Sequence, residues 1–233
     1  ASVLDFPLKQ ALANLFEKPG GDFATLAEPL HLTGGPYANP YELMTFYDNH
    51  DMARMNAPDE GFIDAHNWLF TARGIPVIYY GSEIGFERGT SEHAGNRNYF
   101  GTQGIVAAKT HPIRAALARI ARVRAASPAL QRGLQVNIVL QGDRAAFYRV
   151  YQHKGTAQTA LVLLNKGDAP QAFTVSRYLQ PGTWRDGFSG ETVTVGRKLR
   201  AEVPAHGVRV FFLDQPLTRK DLRAELAKRM ATD

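Results

Sequence analysis

The stretch "LMTFYDNHDMARMN", Leu43 to Asn56, sets a five-residue apolar run directly before two aspartates, an asparagine and a histidine. Read as a strand, Leu43 to Tyr47 ends where Asp48 to Asp51 begin, and parallel α/β folds gather reacting groups at the carboxyl ends of strands. On that reading Asp48 and Asp51 are candidates for half of an acid/base pair. Read as a turn, the same residues are caps and loop positions. The segments on either side decide between the two.

Short β-type runs alternate with helical ones up to about Gly133, the signature of βαβ units on a parallel sheet. "SVLDF" (Ser2 to Phe6) reads as a short strand, and "LKQALANLFE" (Leu8 to Glu17) as a helix with Pro7 at its start, where a missing N–H is harmless. A Gly/Pro-rich loop, Pro19 to Pro40, leads to the second strand, Leu43 to Tyr47. "GFIDAHNWLFTARG" supplies a second helix that Gly74 should stop. "IPVIYYG" (Ile75 to Gly81) is a third strand, apolar on both faces as a strand covered on both sides should be. A third helix is expected over about Pro112 to Leu130, with Ile113, Leu117, Ile120, Ala121 and Val123 as its apolar stripe.

Beyond Gly133 the period changes to two. "VNIVLQ", "AAFYRVYQ", "TALVLLNK", "QAFTVS", "GETVTV" and "GVRVFFLD" are six candidate strands broken by Gly, Pro, Asp and Asn, the recipe for an antiparallel sandwich. The expected organisation is therefore an α/β part over residues 1–133, a β-sandwich over 134–214 and a charged amphipathic helical tail over 215–233, read as solvated. Three strand–helix units fall short of a closed (β/α)8 barrel, which needs about 250 residues. The α/β part is either a small open domain or the last part of something larger.

Composition narrows the class. With 233 residues, 44% hydrophobic and 21% charged, the chain can bury one sizeable core or two small ones. The net charge of +5 is spread out or carried in helices, with no basic stripe interleaved with exposed aromatics, so nucleic acid is not an expected partner. The chain has no cysteine and hence neither disulfides nor thiolate chemistry. No run approaches the roughly 18 apolar residues of a membrane span, and the "ASVLDF" opening, without an initiator Met or a leader, reads as mature, cut or partial.

These segments resemble glycoside hydrolase family 13, the α-amylase family with its cyclodextrin glucanotransferases and bacterial maltodextrin-acting amylases. "FYDNHD" (Phe46 to Asp51) is similar to the family's fourth conserved region at the end of the seventh barrel strand, and "GIPVIYYGSE" (Gly74 to Glu83) to its eighth strand. "SVLDF" resembles the sixth, "GNRN" (Gly95 to Asn98) a substrate-contacting loop, and "GTWRDGFSGE" with "AHGVRVFFL" the β-domain after the barrel. The resemblance implies the last three βα units of a (β/α)8 TIM barrel followed by an antiparallel β-sandwich. It implies retaining cleavage or transfer of α-1,4-glucosidic bonds in starch or maltodextrin, with Asp51 as the third catalytic carboxylate, His50 donating to a hydroxyl of the same sugar and Arg97 contacting the adjoining one. The family's nucleophile Asp and acid Glu belong to regions that should precede residue 1, so the chain alone is expected to be inactive and to need the N-terminal half of the barrel, or a second copy. No metal ligand and no cofactor is assigned to this chain, although calcium is allowed in the complete enzyme, and secretion or a periplasmic site is the localisation the resemblance favours.

The plain readings stand beside these. Asp48 is expected to be structural, Glu83 a capping or buried structural carboxylate, and His66 and Trp68 packing residues. Glu87, Glu92 and His93 read as solvated or rim residues rather than metal ligands. Tyr79 and Tyr80 should alternate faces of their strand, one inward and one towards a helix. The competing function is a carbohydrate-binding or interaction module whose partial barrel is closed by oligomerisation, since three parallel strands leave open edges; an unrelated small α/β protein with a chance "NHD" is the weakest reading.

Overall fold

The computed structural model describes residues 2–18 and 20–229. Helix α1 (Phe6–Glu17) starts at Asp5, whose carboxylate accepts from the Leu8 N–H, and buries Leu8, Leu12, Leu15 and Phe16 along one stripe. Strand β1 (Met44–Thr45) and β2 (Ile75–Pro76) pair in parallel, and Leu4 adds a parallel bridge on the other side of Met44. Three segments thus lie side by side in the expected order, but each is far shorter than its apolar run. Ser2 to Phe6 contributes a single bridge, with Phe6 already helical.

Only one face of this small sheet is covered, which corrects the expectation for Ile75 to Gly81. Leu4, Met44 and Ile75 stand in register, so their side chains share a face; Leu4 is 37% and Ile75 44% exposed. On the opposite face Asp5 and Thr45 are buried.

Helix α2 (Asp59–Thr71) connects β1 to β2 and is buried on nearly all sides, with Phe62, Ala65, His66, Trp68 and Leu69 in the core. It ends at Thr71 rather than at Gly74. Two buried arginines satisfy its terminal carbonyls: Arg124 donates to Phe70 O and, just past the helix, to Gly74 O, and Arg149 donates to Thr71 O. Gly74 instead takes φ +99°, where a Cβ would lie 2.5 Å from Thr45 Cγ2. After β2 come α3 (Gly101–Ala108), which the hydrophobic pattern does not announce, then α4 (Pro112–Ala125) and α5 (Pro128–Arg132). The last two replace the single expected helix, because Ser127 caps a fresh turn ahead of Pro128. Leu117 and Ala121 of the expected stripe are only half-buried, whereas Ile113, Ile120 and Val123 are in the core.

The antiparallel part has eight strands, two more than expected. They are β3 (Leu134–Gln141), β4 (Arg144–His153), β5 (Thr156–Asn165), β6 (Gln171–Val175), β7 (Gly182–Asp186), β8 (Thr192–Val195), β9 (Leu199–Val203) and β10 (Gly207–Leu213). Six form one sheet in the order β3-β4-β5-β10-β7-β8, and β6 pairs with β9. The long β4–β5 hairpin turns on Lys154 and Gly155, both at positive φ, which matches the twist of the strands it joins.

The large sheet sorts its side chains with period two between two cores. Phe147, Ala160, Val162, Leu164, Val210 and Phe212 pack with α1, α2 and α4; Tyr148, Leu161, Leu163, Phe211 and Leu213 pack with Phe173, Trp184 and Val203 on the other side. The first core therefore straddles residue 133. Helix α6 (Lys220–Leu226) is not simply solvated: Leu217 and Leu222 enter the second core and Arg229 donates to Gln135 O. Residues 230–233 of the expected tail lie outside the described residues.

Candidate functional site

The chain leaves β1 at Thr45 and turns sharply through Asp48 to Asp51, where Asn49 Oδ1 accepts from the Asp51 N–H at 2.8 Å. Asp51 stands out from this turn with its side chain 61% exposed. Arg97 Nη2 donates to Asp51 Oδ1 at 2.6 Å, His50 Nε2 lies 3.1 Å from Asp51 Oδ2, and Arg97 Nε donates to His50 O at 3.1 Å. The three residues singled out in the sequence, His50, Asp51 and Arg97, thus meet at one exposed point although 46 positions separate Asp51 from Arg97.

Residues not picked out beforehand hold the cluster. Asn96 is buried, and its amide donates to His50 O at 2.7 Å and Met52 O at 3.0 Å, stitching the loop after β2 to the turn after β1. Arg54, also buried, donates to Tyr80 O and Asn96 O and lies over the rings of Tyr79 and Tyr80 at 4.7 and 5.0 Å. The only advance signal was adjacency, Asn96 to Arg97 and Arg54 to the "NHD" turn.

Asp48 plays another part. It is 2% exposed and accepts from the Met55 N–H and the Ser82 hydroxyl, tying the end of the first turn to Ser82–Ile84 after β2. Burial raises its pKa to about 6, against the pull of those two donors. A carboxyl so enclosed cannot meet a ligand, so Asp48 and Asp51 are not an acid/base pair. Glu83 sits half-buried in the short turn beside Ser82.

Tyr79 and Tyr80 do not lie on opposite faces. Regular pairing ends at Pro76, the alternation lapses, and the rings meet edge to face at 4.6 Å, with Tyr79 also 6.3 Å from the His50 ring. His66 and Trp68 are fully buried: His66 Nε2 is 2.6 Å from the Tyr47 hydroxyl, and burial drives its pKa down to about 3, so it stays neutral. Glu87 accepts from Asn98, and Glu92 pairs with His93 in the exposed loop. Among the described residues no group of three or more His, Asp or Glu is arranged to hold a metal ion.

An ion pair this exposed contributes only about 0–1 kcal/mol to stability, so folding alone gives little reason for the three side chains to converge. What they present to solvent is a carboxylate acceptor flanked by guanidinium and imidazole donors, beside two tyrosine rings. Such a surface suits a ligand with many hydroxyls.

No family model matches the chain. It is 29% identical over 209 residues to an α-amylase of Streptomyces lividans, covering 73% of this chain and 22% of that protein. It is 28% identical over 204 residues to a cyclomaltodextrin glucanotransferase of Bacillus sp. (strain 38-2), covering 84% of this chain and 27% of the relative. Among solved structures, a cyclomaltodextrin glucanotransferase with a three-domain ABC distribution aligns with TM-score 0.72 and 28% identity over 91% of this chain and 44% of its own. The α-amylase of Geobacillus thermoleovorans, solved with acarbose, aligns with TM-score 0.77 at 23% identity over 92% and 48%, a likeness of fold. The chain spans about a quarter of the length of these curated relatives. Its homologues are thus α-amylases and cyclomaltodextrin glucanotransferases, as "FYDNHD" and "IPVIYYGSE" imply, and it corresponds to a portion of them.

Proposed function

We propose that the chain is the C-terminal part of a retaining enzyme that cleaves or transfers α-1,4-glucosidic bonds of starch or maltodextrin, carrying strands six to eight of its barrel and the β-sandwich behind it. The observation that carries the reading is the exposed Asp51 carboxylate held between Arg97 and His50 just beyond a parallel strand. Retaining glycosidases flank an oxocarbenium-like transition state with a nucleophile and an acid roughly 5–5.5 Å apart, and further groups tighten on sugar hydroxyls as that state forms. Asp51 is the carboxylate of that last kind. His50 donates to a hydroxyl of the same sugar, and Arg97 orients Asp51 while reaching the next sugar. Nucleophile and acid come from the remainder of the enzyme, so this chain alone is inactive. Any calcium of the complete enzyme is held outside the described residues, and action on polymeric glucan goes with export from the cytoplasm.

The half-covered row Leu4, Met44 and Ile75 supports the same reading, since parallel sheets are stable with both faces covered. It supports equally a module that covers this face with a second copy. Two experiments separate them. Purified chain incubated with maltoheptaose should release no product until the N-terminal remainder is added, and Asp51→Asn in the reconstituted enzyme should abolish most turnover; turnover by the chain alone refutes the assignment. Gel filtration that shows a stable dimer, with no activity on adding the remainder, favours the module.

A further inference from the structure

The loop that brings Arg97 to Asp51 continues into "NYFG", and its pinning is uneven. Asn98 is anchored twice, its carbonyl accepting from the Tyr80 hydroxyl at 2.6 Å and its amide donating to Glu87 at 2.9 Å. Phe100 is anchored through its ring, edge to face on Phe86 at 5.0 Å. Between these anchored neighbours Tyr99 is 84% exposed, the most exposed large hydrophobic side chain described. Among the described residues its side chain makes no hydrogen bond or ring contact. A phenol ring left this far in water adds nothing to the core.

Its place in the loop does suggest a use. Tyr99 is two positions on from Arg97, a backbone span of at most about 7 Å. The tyrosines form a path away from the cluster: Tyr79 lies near the His50 ring, Tyr80 against Tyr79, and the Tyr80 hydroxyl holds the peptide that precedes Tyr99. Tyr80 is itself 41% exposed. A flat aromatic on a pinned loop is pre-organised for stacking, because little further freedom is lost when a ring settles on it.

Resting on the proposed function, we infer that Tyr99 is a glucan-stacking residue, its ring receiving the apolar face of a glucosyl unit beyond the one Arg97 contacts and so extending the site along a bound chain of α-1,4-linked glucose. The phenol hydroxyl is not needed for this, only the ring. The test is calorimetric titration of the full chain with maltoheptaose. Tyr99→Ala should weaken binding roughly tenfold, about 1.4 kcal/mol, while leaving the thermal midpoint unchanged; Tyr99→Phe and Tyr99→Trp should bind like the unaltered chain. Maltose, too short to span both positions, should bind the alanine variant and the parent alike. If Asp51→Asn abolishes binding and Tyr99→Ala stays within twofold of the parent, the stacking role is refuted while the glucan site stands. If the unaltered chain binds no maltoheptaose, the stacking role falls, while the proposed function is decided separately by reconstitution with the N-terminal remainder.

Discussion

The contrast between two ion pairs, one buried and one exposed, yields the sharpest prediction. Asp5 and Arg73 are 0% exposed and 2.5 Å apart, joining the segment before α1 to the turn after α2. Arg73 also donates to Leu30 O at 2.9 Å and Pro29 O at 3.2 Å, but among the described residues Asp5 is the one carboxylate it pairs with. Asp5→Asn preserves the N-cap of α1, because asparagine caps as well as aspartate, and so removes the charge almost alone. An uncompensated buried guanidinium costs about 3–5 kcal/mol. At about 2–4 °C per kcal/mol for a chain of this size, the thermal midpoint should fall by roughly 6–20 °C. Asp51→Asn removes an ion pair of similar length, 2.6 Å, whose side chains are 58% and 61% exposed; its stability cost should stay within about 1 kcal/mol. Thermal unfolding followed by circular dichroism compares the two directly. Asp5→Asn with Arg73→Met, which leaves no unpaired charge, should recover most of the loss. Equal, small shifts for Asp5→Asn and Asp51→Asn would refute the reasoning, because burial would then not be what separates the two pairs.

Two further predictions concern pH. Asp48, raised by burial to about 6 from an ordinary 3.8, binds its proton more tightly folded than unfolded, so stability should fall as pH rises from about 4 to 6.5. Across that window the parent should lose about 2–3 kcal/mol relative to Asp48→Asn in urea unfolding, and parallel profiles would contradict this. His206 lies between Asp64 at 2.8 Å and Asp168 at 3.0 Å, and those carboxylates raise it to about 9. Its contribution is fully present below about 6.5 and is lost as pH rises through 9; solvent screening of this partly exposed group limits it to about 1 kcal/mol. Burial lifts Asp64 to about 6 in spite of the imidazolium, so the pair is fully charged only above that pH. An NMR titration of the His206 ring with a midpoint near 6.5 would sink the clamp, as would a His206→Gln variant whose stability tracks the parent from pH 7 to 10.

How much of this could be read from residues alone varied with how local the cause was. Period-two runs such as "TALVLLNK" show β5 plainly, because each side chain reports its own face and the strand pairs along its whole length. The parallel runs mislead about length: "IPVIYYG" has the composition of a seven-residue strand, yet pairing stops at Pro76 because no neighbour lies beyond it. The end of α2 was misplaced for a related reason. Arg124 and Arg149, more than 50 positions away, donate to its last carbonyls at Phe70 and Thr71, and no local pattern announces a cap that comes from another element. His50 and Asp51 were visible because they follow an apolar run, and Arg97 through the resemblance of "GNRN". Asn96 and Arg54, which hold those residues in place, were not, because a buried polar residue looks like any loop residue until its partners are known.

Asp48 and Asp51 show what physical position adds to residue type. Three positions apart on one turn, the first is enclosed and accepts from Met55 and Ser82, while the second stands 61% exposed between Arg97 and His50. The enclosed one does structural work for the exposed one. By gripping Ser82 it fixes the turn after β1 to the segment after β2, and the loop that carries Asn96 and Arg97 continues from that segment. Both segments are also the ends of the short parallel pair whose other face is half bare at Leu4 and Ile75. The bare row at Leu4 and Ile75 and the turn that carries Asp51 thus depend on the same two strands. If Asp51 binds glucan as proposed, that binding should tighten when the bare face is covered, and calorimetric titration giving the same affinity with the face covered and bare would argue that the two are independent.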